Sequence, residues 1–354
     1  MNKSATIKYG SIQKYRDAVY RVNHVCRFTG KCDENNQPIY DNSKSLDTIN
    51  FRAYPKVDGT NGSVVFDAWL NKIQIQSRNN VLSEEKDNYG FYKWIHDKSR
   101  IDILKEYVRE ALENFPLDSD DRVVIYGEYC GKGIRPDVAI GQLPKMFIPF
   151  QIKILTNQYD PVSGLGQVLI NPQNMPKLEN HDANLFSINI FDTQELEIDF
   201  NESTKYPDIL NEIAKKTVTE CDIAKHFGVT GLGEGYVFYS MDPYFSDLMF
   251  KVKNEKFEVN YSPKIKQNAV EIDITAEKEF VEFVVTEARL KQGIEFIREK
   301  HNSLHGKFTY DFMQWVTDDV LKEESDIIQK NNLDKKVILK LINQKAAKFF
   351  KDYV

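Results

Sequence analysis

The sequence predicts an α+β protein of two domains, the first built of mainly antiparallel sheets with helices and the second small and all-α. Three observations predict this class. In the first two thirds of the chain, strand-like and helix-like runs follow one another without regular β-α-β alternation. After about Tyr261, every long run has helical periodicity. With 354 residues, 41% of them hydrophobic, the chain can bury more than one core. We therefore place the domains at residues 1–262 and 263–354.

Residues 49–80 begin the predicted sheets. Apolar and polar residues alternate in 49–69 and again in 72–79, which is typical of an antiparallel hairpin. The next run places apolar side chains at helical spacing, namely Ile101, Leu104, Tyr107, Val108, Ala111 and Leu112. A helix with one apolar face must bury that face, so we expect this helix to dock on a sheet.

Further strands and one helix complete the predicted first domain. The strand-like runs are residues 122–130, 145–154, 187–200, 233–240 and 247–254. A polar connection occupies residues 157–184, and a helix is predicted from Pro207 to about Ala224. Residues 27–45 are interpreted as a solvated loop, with a substrate-facing loop as the alternative.

Three helical runs form the predicted second domain, at residues 277–300, 309–330 and 335–354. Thr275 and Asp334 are the predicted N-caps of the first and third, because such side chains accept hydrogen bonds from the N–H groups of the first turn. The last run is rich in lysine and has one acid. From charge alone, it is either a basic surface or an ordinary solvated helix face.

Composition excludes some classes of protein. A net charge of −6 does not by itself indicate a nucleic-acid binder, although phosphate contacts depend on local lysine and arginine rather than on the total. Four cysteines are too few for a disulfide framework. Cys26 and Cys32 lie near His24, but a zinc site normally has a second pair of ligands, so we interpret them as incidental thiols. Without a run of about 18 apolar residues or a signal-peptide core, we expect a soluble, cytoplasmic protein with no membrane contact.

Lys56 lies in the most informative stretch, Lys56-Val57-Asp58-Gly59-Thr60-Asn61, between two predicted strands. A lysine attacks phosphorus only as the neutral amine, so it needs burial or nearby cations that lower its pKa. The glycine would let the backbone approach a phosphate closely. Taken alone, the pattern is weak evidence, because Asp-Gly is also ideal for a surface turn.

Further stretches of the same kind follow in order along the chain. They are Ser77 to Asn79, Tyr126 to Ile134, Met146 to Ile152, Glu234 to Val237 and Lys251 to Lys253. With the lysine stretch, they resemble the ordered motifs of the covalent nucleotidyltransferases, an ATP-grasp-like group that includes ligases and mRNA capping enzymes. The chain is most similar to the ATP-dependent phage RNA ligases that seal nicks in duplex RNA and to the RNA-editing ligases. The resemblance extends over about residues 45 to 260 and more loosely into the C-terminal helices.

This resemblance implies a role for each motif residue. Lys56 would form a phosphoramidate with AMP and expel pyrophosphate. Asn61 would contact the nucleotide, Arg78 and Glu128 would hold the ribose, and Phe150 would stack on adenine. Taken singly, Glu128 is equally well explained as a solvated strand end. Phe150 is by default a core aromatic, and Lys251 and Lys253 alone are better explained as the exposed face of a strand.

Three more residues would bind the phosphate and the metal. By the same resemblance, Glu234 would help to bind the divalent metal, and Lys251 and Lys253 would contact the α-phosphate. The residue types fit this chemistry independently. Side chains two apart on a strand point to one face, so both ammonium groups can reach one phosphate and can lower the pKa of Lys56. A carboxylate oxygen is the ligand that Mg²⁺ prefers.

The predicted function is therefore an RNA ligase, expected to be a monomer, that uses ATP as AMP donor with Mg²⁺ or Mn²⁺. Its partner would be RNA, as a nicked duplex or an RNA/DNA hybrid, with the C-terminal helices gripping it. If the protein is viral, its compartment would be the host cytoplasm. The sequence departs from the most similar ligases at Pro55, Asp58 and Gln151, where Glu, His and Asp are usual. The alternatives are a DNA ligase, a capping guanylyltransferase, or a binding module without catalysis.

Overall fold

The computed structural model describes residues 6–160, 165–254, 256, 276–331 and 333–354. The chain forms two compact units, Met1–Lys256 and Phe257–Val354. The predicted boundary between residues 262 and 263 falls outside the described residues and stays a prediction. Mixed helices and sheets in the first unit confirm the predicted α+β class.

The first unit contains both sheets of the predicted fold. Its described strands are β1 Gln13–Lys14, β2 Phe28–Cys32, β3 Pro38–Tyr40, β4 Thr48–Pro55, β5 Thr60–Asp67, β6 Ile73–Ser77, β7 Arg122–Cys130, β8 Met146–Leu155, β9 Gln167–Ile170, β10 Glu179–Asn180, β11 Leu185–Phe186, β12 Gln194–Asp199, β13 Gly235–Ser240 and β14 Met249–Lys253. Its described α-helices are α1 Tyr15–Arg27, α2 Phe91–Ile95, α3 Arg100–Ala111, α4 Tyr206–Lys215 and α5 Asp222–His226.

Two larger sheets contain twelve of these strands, and β2 and β3 form a separate two-stranded sheet. The first has the order β1-β14-β13-β4-β12, and the second has the order β10-β11-β8-β7-β5-β6, with β9 beside β8. Within both sheets the described pairs are antiparallel except β1 with β14 and β11 with β8. The mainly antiparallel character predicted from the sequence is therefore confirmed.

The predicted hairpin at residues 49–80 is divided between the two sheets. β4 pairs with β12 and β13 in the first sheet, whereas β5 pairs with β6 and β7 in the second. Only β5 and β6 form the hairpin that the alternation indicated. The chain therefore crosses from one sheet to the other between Pro55 and Thr60, and Lys56 lies on this crossing.

Each sheet has its own apolar core. Phe51 and Phe250 of the first sheet pack with Val22 of α1 and Leu210 of α4. In the second core, the strand residues Val64, Phe66, Val123 and Ile125 pack with Leu104, Tyr107 and Val108 of α3. These α3 residues belong to the predicted apolar face, so the docking of this helix on a sheet is confirmed.

Several local predictions in the first unit need correction, and one is the polar connection at residues 157–184, which contains β9 and β10. Helix α1 was missed, and the predicted loop 27–45 contains the β2–β3 hairpin. The predicted helix from Pro207 to Ala224 is interrupted after α4 by a 3₁₀ turn at Lys216–Val218, and α5 follows separately. At this turn the hydroxyl of buried Thr217 donates to the carbonyl of Ala214 at 2.7 Å. Such local side-chain bonds compete with a continuing helix.

The described part of the second unit is helical. Its helices are α6 Ala276–Val284, α7 Glu287–His301, α8 Thr309–Glu323, α9 Ser325–Lys330 and α10 Lys335–Tyr353. Their core contains Phe280, Ile294, Phe312, Val316 and Ile342. The helical C-terminal region predicted from the sequence is thus confirmed.

Side-chain caps mark the start of two helices in this unit. The side chain of Thr286 accepts a hydrogen bond from the N–H of Arg289 and begins α7, so the first run is two helices. Asp334 accepts from the N–H groups of Lys336 and Val337, which confirms it as the N-cap of α10. The other predicted cap, Thr275, lies outside the described residues. Among the helices that the structure describes, none is long and apolar enough to cross a membrane.

Candidate active site

Lys56 lies where the chain leaves β4 and crosses to the second sheet. Its backbone N–H donates to the carbonyl of Gly235 at 2.8 Å, which ties the crossing to the start of β13. A Cβ on Gly235 would lie 2.1 Å from the carbonyl oxygen of Val252, so only glycine fits here. The lysine that carries the predicted chemistry is therefore fixed to the strands that carry the Glu234 and Lys253 motifs.

The carboxylate of Glu234 joins two of the predicted lysines. Its Oε2 lies 2.7 Å from Lys56 Nζ and its Oε1 lies 2.9 Å from Lys253 Nζ. Glu234 is 4% exposed, while the side chains of Lys56 and Lys253 are 21% and 19% exposed. Burial by itself would raise the pKa of Glu234, but the two ammonium groups outweigh it and hold that pKa well below its usual range. The structure thus brings three motifs, far apart in sequence, to one buried carboxylate.

Lys251 lies on β14 two residues before Lys253. In the register of the sheet it faces Val237, and Lys253 faces Gly235. Both side chains are partly exposed while Val252 between them is buried, as expected for alternation along a strand. Lys251 and Lys253 therefore share one face of β14, as predicted, and the contact of Lys251 with phosphate stays a prediction.

Asp58 forms a buried ion pair with Arg135, a residue that the sequence reasoning missed. Arg135 Nη1 lies 2.8 Å from Asp58 Oδ1, and the side chains are 4% and 6% exposed. The second oxygen, Oδ2, has no hydrogen-bond partner among the described residues. Burial raises the pKa of Asp58 to about 7; the charge of Glu234 adds to the rise, and Arg135 opposes it. The arginine follows the Glu128 motif directly, and its place there was the available signal.

Glu128 and Asn61 face each other across β5 and β7. Asn61 Nδ2 donates weakly to the carbonyl of Gly127 at 3.4 Å, while its buried Oδ1 has no partner among the described residues. Burial raises the pKa of Glu128 to about 8, and the nearest opposing influence is the charge of Lys56. This pair therefore lies close to the Lys56–Glu234 cluster on the side of the second sheet.

Arg78 and Phe150 occupy the outer part of the same region. Arg78 is exposed, directly after β6, and its Nη2 lies 3.5 Å from the hydroxyl of Ser11. Its charge also acts on Glu128, which places the two predicted ribose contacts in one neighbourhood. Phe150 on β8 packs edge-on against Tyr9, with ring centroids 5.0 Å apart. Tyr9 was not predicted, and the adenine contact of Phe150 stays a prediction.

Asn254 links the Glu234 and Lys253 motifs through its backbone and side chain. Its N–H donates to the carbonyl of Glu234 at 3.1 Å. Its buried side-chain amide donates to the carbonyl of Gly233 at 2.8 Å and to the hydroxyl of Thr217 at 2.7 Å. Sequence reasoning missed this role, although the residue directly follows Lys253.

The described residues contain no group of three or more His, Cys, Asp or Glu side chains that could hold a metal ion. Cys26 contacts Asp47 at 3.3 Å, and His24 Nδ1 lies 3.2 Å from the hydroxyl of Tyr40. A divalent ion bound mainly through substrate phosphates needs only one or two carboxylates. Glu234 therefore fits as the metal carboxylate, since it is the buried acid nearest to Lys56.

Comparison with protein families gives one match, the RNA ligase family, over residues 51–253. No curated protein matches the chain. Among solved structures, the Naegleria gruberi RNA ligase with PPi is 16% identical with a TM-score of 0.41, covering 73% of this chain and 61% of that one. A mutant of that ligase with ATP and Mn is 15% identical with a TM-score of 0.39, covering 72% and 57%. The chain thus spans less than two thirds of the length of these ligases.

Proposed function

The chain belongs to the RNA ligase family, and from this membership we propose that it is an ATP-dependent RNA ligase that seals 3′-OH/5′-phosphate breaks at nicks in duplex RNA. The observation that carries the proposal is the buried Glu234 carboxylate, held between Lys56 and Lys253 where the chain crosses between the sheets. The family match covers all three of these residues.

The first step is self-adenylylation of Lys56. Its Nζ attacks the α-phosphorus of ATP, an N–P bond forms, the P–O bond to pyrophosphate breaks, and one proton leaves the nitrogen. Attack requires a neutral amine with a free lone pair, so the Lys56 ammonium that pairs with Glu234 must first lose a proton to solvent when ATP binds. Lys253 and Lys251 supply positive charge beside the reacting phosphate, where negative charge builds up.

The second and third steps transfer AMP to RNA and close the break. An oxygen of the RNA 5′-phosphate attacks the phosphorus of lysyl-AMP, so the N–P bond breaks and Lys56 is released. The 3′-OH then attacks the 5′-phosphate, a phosphodiester forms, and AMP leaves while the hydroxyl proton is lost. Both steps use the same phosphate-binding groups, which explains how one site can serve the whole sequence.

Glu234 would hold the Mg²⁺ or Mn²⁺ ion together with substrate phosphate oxygens. Bound there, the ion supplies further positive charge and orients the phosphates. In the structure each carboxylate oxygen of Glu234 contacts a lysine, so an ion that binds Glu234 would take the place of a lysine there. A change of partner at Glu234 therefore accompanies the release of Lys56 Nζ for attack.

The second unit favours an RNA ligase over other members of the superfamily. DNA ligases and capping enzymes typically place an OB barrel of short strands after the last lysine motif. In residues 276–331 and 333–354, the structure describes helices and no strand. A binding module that had lost catalysis would lack the nucleophile or the acid, whereas Lys56, Glu234 and Lys253 are all present and in contact.

Labelling with α-labelled ATP tests the proposal. The purified protein is incubated with labelled ATP or GTP and Mg²⁺, alongside Lys56→Ala and the control Lys72→Ala, which alters an exposed lysine at the β5–β6 turn. We expect ATP label on wild type and Lys72→Ala, none on Lys56→Ala, and transfer of the label to a 5′-phosphorylated nick in RNA. Label from GTP would indicate capping chemistry, and folded protein without label would refute catalysis.

A further inference from the structure

Helix α10 carries a row of lysines along the side opposite its buried face. Ile338, Ile342, Ala346 and Phe350, spaced four apart, are fully buried in the core of the second unit. Lys336, Lys340, Lys348 and Lys351 are exposed on the opposite side, at intervals of four, eight and three residues; Lys335, at the first position of the helix, is exposed too. At 1.5 Å per residue the row is about 22 Å long. We call these four residues the α10 lysine row.

The α10 lysine row is not neutralised by acids of the described structure. None of its four side chains makes an ion pair with a described residue, whereas the neighbouring Lys345 pairs with Glu282 at 2.8 Å. Only one acid, Asp352, occurs within Lys335–Tyr353. The row therefore presents four positive charges on one side of one helix.

Lysines on other helices behave differently. Lys105, Lys215 and Lys291 each pair with an acid three or four residues earlier on the same helix. Such pairs are the usual arrangement on solvated helix faces. In a chain with a net charge of −6, four lysines in line without such partners are therefore not explained by solvation of the helix alone.

We propose that the α10 lysine row binds the phosphate backbone of the RNA substrate. The proposal rests on the proposed function and names residues that would hold the polynucleotide. Flexible ammonium groups act as point charges on phosphates and carry no base readout, so this contact would be independent of RNA sequence. Its contribution would fall as salt increases, because each contact releases counterions from the RNA.

The test replaces all four lysines with glutamine, which keeps helix propensity nearly unchanged. The control carries four glutamines at Lys105, Lys205, Lys215 and Lys225, each of which pairs with an acid in the first unit. Both variants have the same net charge. Binding of a nicked RNA duplex to the full-length proteins is measured against salt concentration.

We expect the α10 variant to bind about tenfold or more weakly at low salt, with the slope of log K against log salt reduced by about 3. The control should keep the wild-type slope. Self-adenylylation of Lys56 is measured in parallel, and it should be unchanged in both variants because it needs no RNA. Equal slopes for the α10 variant and wild type would overturn the proposal that the α10 lysine row binds RNA. Loss of labelling in wild type would instead refute the proposed function.

Discussion

At the residue scale, the site is a set of buried charges that the fold holds together. Glu234 contacts Lys56 and Lys253, while Asp58 contacts Arg135 on the other side of the crossing. Buried charges are costly unless they are paired and hydrogen-bonded. These pairs therefore mark positions where the fold keeps charges buried at a cost in stability, as the proposed catalysis would require.

Asn254 should position the two motifs without touching substrate. Asn254→Ala leaves the carbonyl of Gly233 and the hydroxyl of Thr217 without their donor, which should cost about 1–3 kcal/mol of stability. Since the lost side-chain amide also holds the carbonyl of Gly233, directly before Glu234, we also expect self-adenylylation of the folded variant to fall several-fold. The rate is measured at saturating ATP, and the pH profile should change because the Glu234 carboxylate is displaced.

Asn189 provides the matched control for this prediction. Its side-chain amide donates to the carbonyls of Pro172, Met175 and Pro176, at 3.1, 2.8 and 3.2 Å, and none of these belongs to the predicted site. Asn189→Ala should lose comparable stability but keep the wild-type rate and pH profile. If both variants lost activity in proportion to stability, Asn254 would be merely structural.

The pH dependence of stability should report on Asp58. Its pKa of about 7 in the folded protein lies above the ordinary value of 3.8, so the folded state binds this proton more tightly than the unfolded state. Stability therefore falls as pH rises from about 4 to about 7. In Asp58→Asn this loss disappears, because the amide cannot titrate. The free energy of unfolding of wild type minus that of the variant should therefore fall as pH rises.

Urea unfolding at about pH 5 and about pH 8 measures this difference in the free energy of unfolding. The exposed Asp120→Asn variant is the control. If wild type minus variant stayed constant or increased from about pH 5 to about pH 8, a raised pKa at Asp58 would be contradicted.

Motif residues could be predicted from the sequence, whereas their supporting partners could not. Lys56, Glu234 and Lys253 follow one another in a recognisable order, and the structure brings them into contact. Arg135 and Asn254 were missed, because an ion pair or an amide bridge depends on which strands become neighbours. That information lies in the pairing of distant strands rather than in local spacing.

At the scale of elements, the crossing between β4 and β5 decides where Lys56 lies. Gly59 is central to it, since an added Cβ would lie 2.5 Å from the carbonyl oxygen of Tyr129 and 2.8 Å from Cβ of Cys130. Both atoms belong to β7 and cannot move freely. The crossing can therefore approach β7 only with glycine at this position.

Gly59→Ala should displace the crossing and the lysine with it. Overpacking of this kind costs about 1–3 kcal/mol, and we expect a lower melting temperature together with a large drop in labelling of Lys56. Gly10→Ala is the control, because a Cβ there meets nothing within 4 Å. Wild-type labelling in Gly59→Ala would show that the close approach to β7 is unimportant.

Elements with a strong period were predicted well, and weakly patterned ones were not. The apolar face of α3 reflects a half-buried surface, which leaves a clear period in the sequence, whereas β5 and β6 each contain consecutive buried residues. Helix α1 buries only Ala18 and Val22 fully, so its pattern is faint. The break after α4 depends on the Thr217 hydroxyl, which periodicity does not reveal.

At the scale of the whole molecule, charge is distributed unevenly within an acidic chain. The first unit uses its central charges in buried pairs, and the second presents the α10 lysine row on its surface. The sequence showed the lysine-rich segment but could not separate a basic surface from a solvated face. The positions of the buried residues of α10 and the pairing of Lys345 were needed to resolve which lysines share one side.

The crossing from Lys56 to Gly59 also bears on how this chain can vary in length. An added or deleted residue would shift the register of β5 by one and turn its buried side chains to the opposite face of the sheet. The turn between β2 and β3 has exposed residues and should accept insertions readily. Among natural or engineered variants, the distance in sequence from β4 to β5 should therefore stay constant, while the β2–β3 turn changes in length.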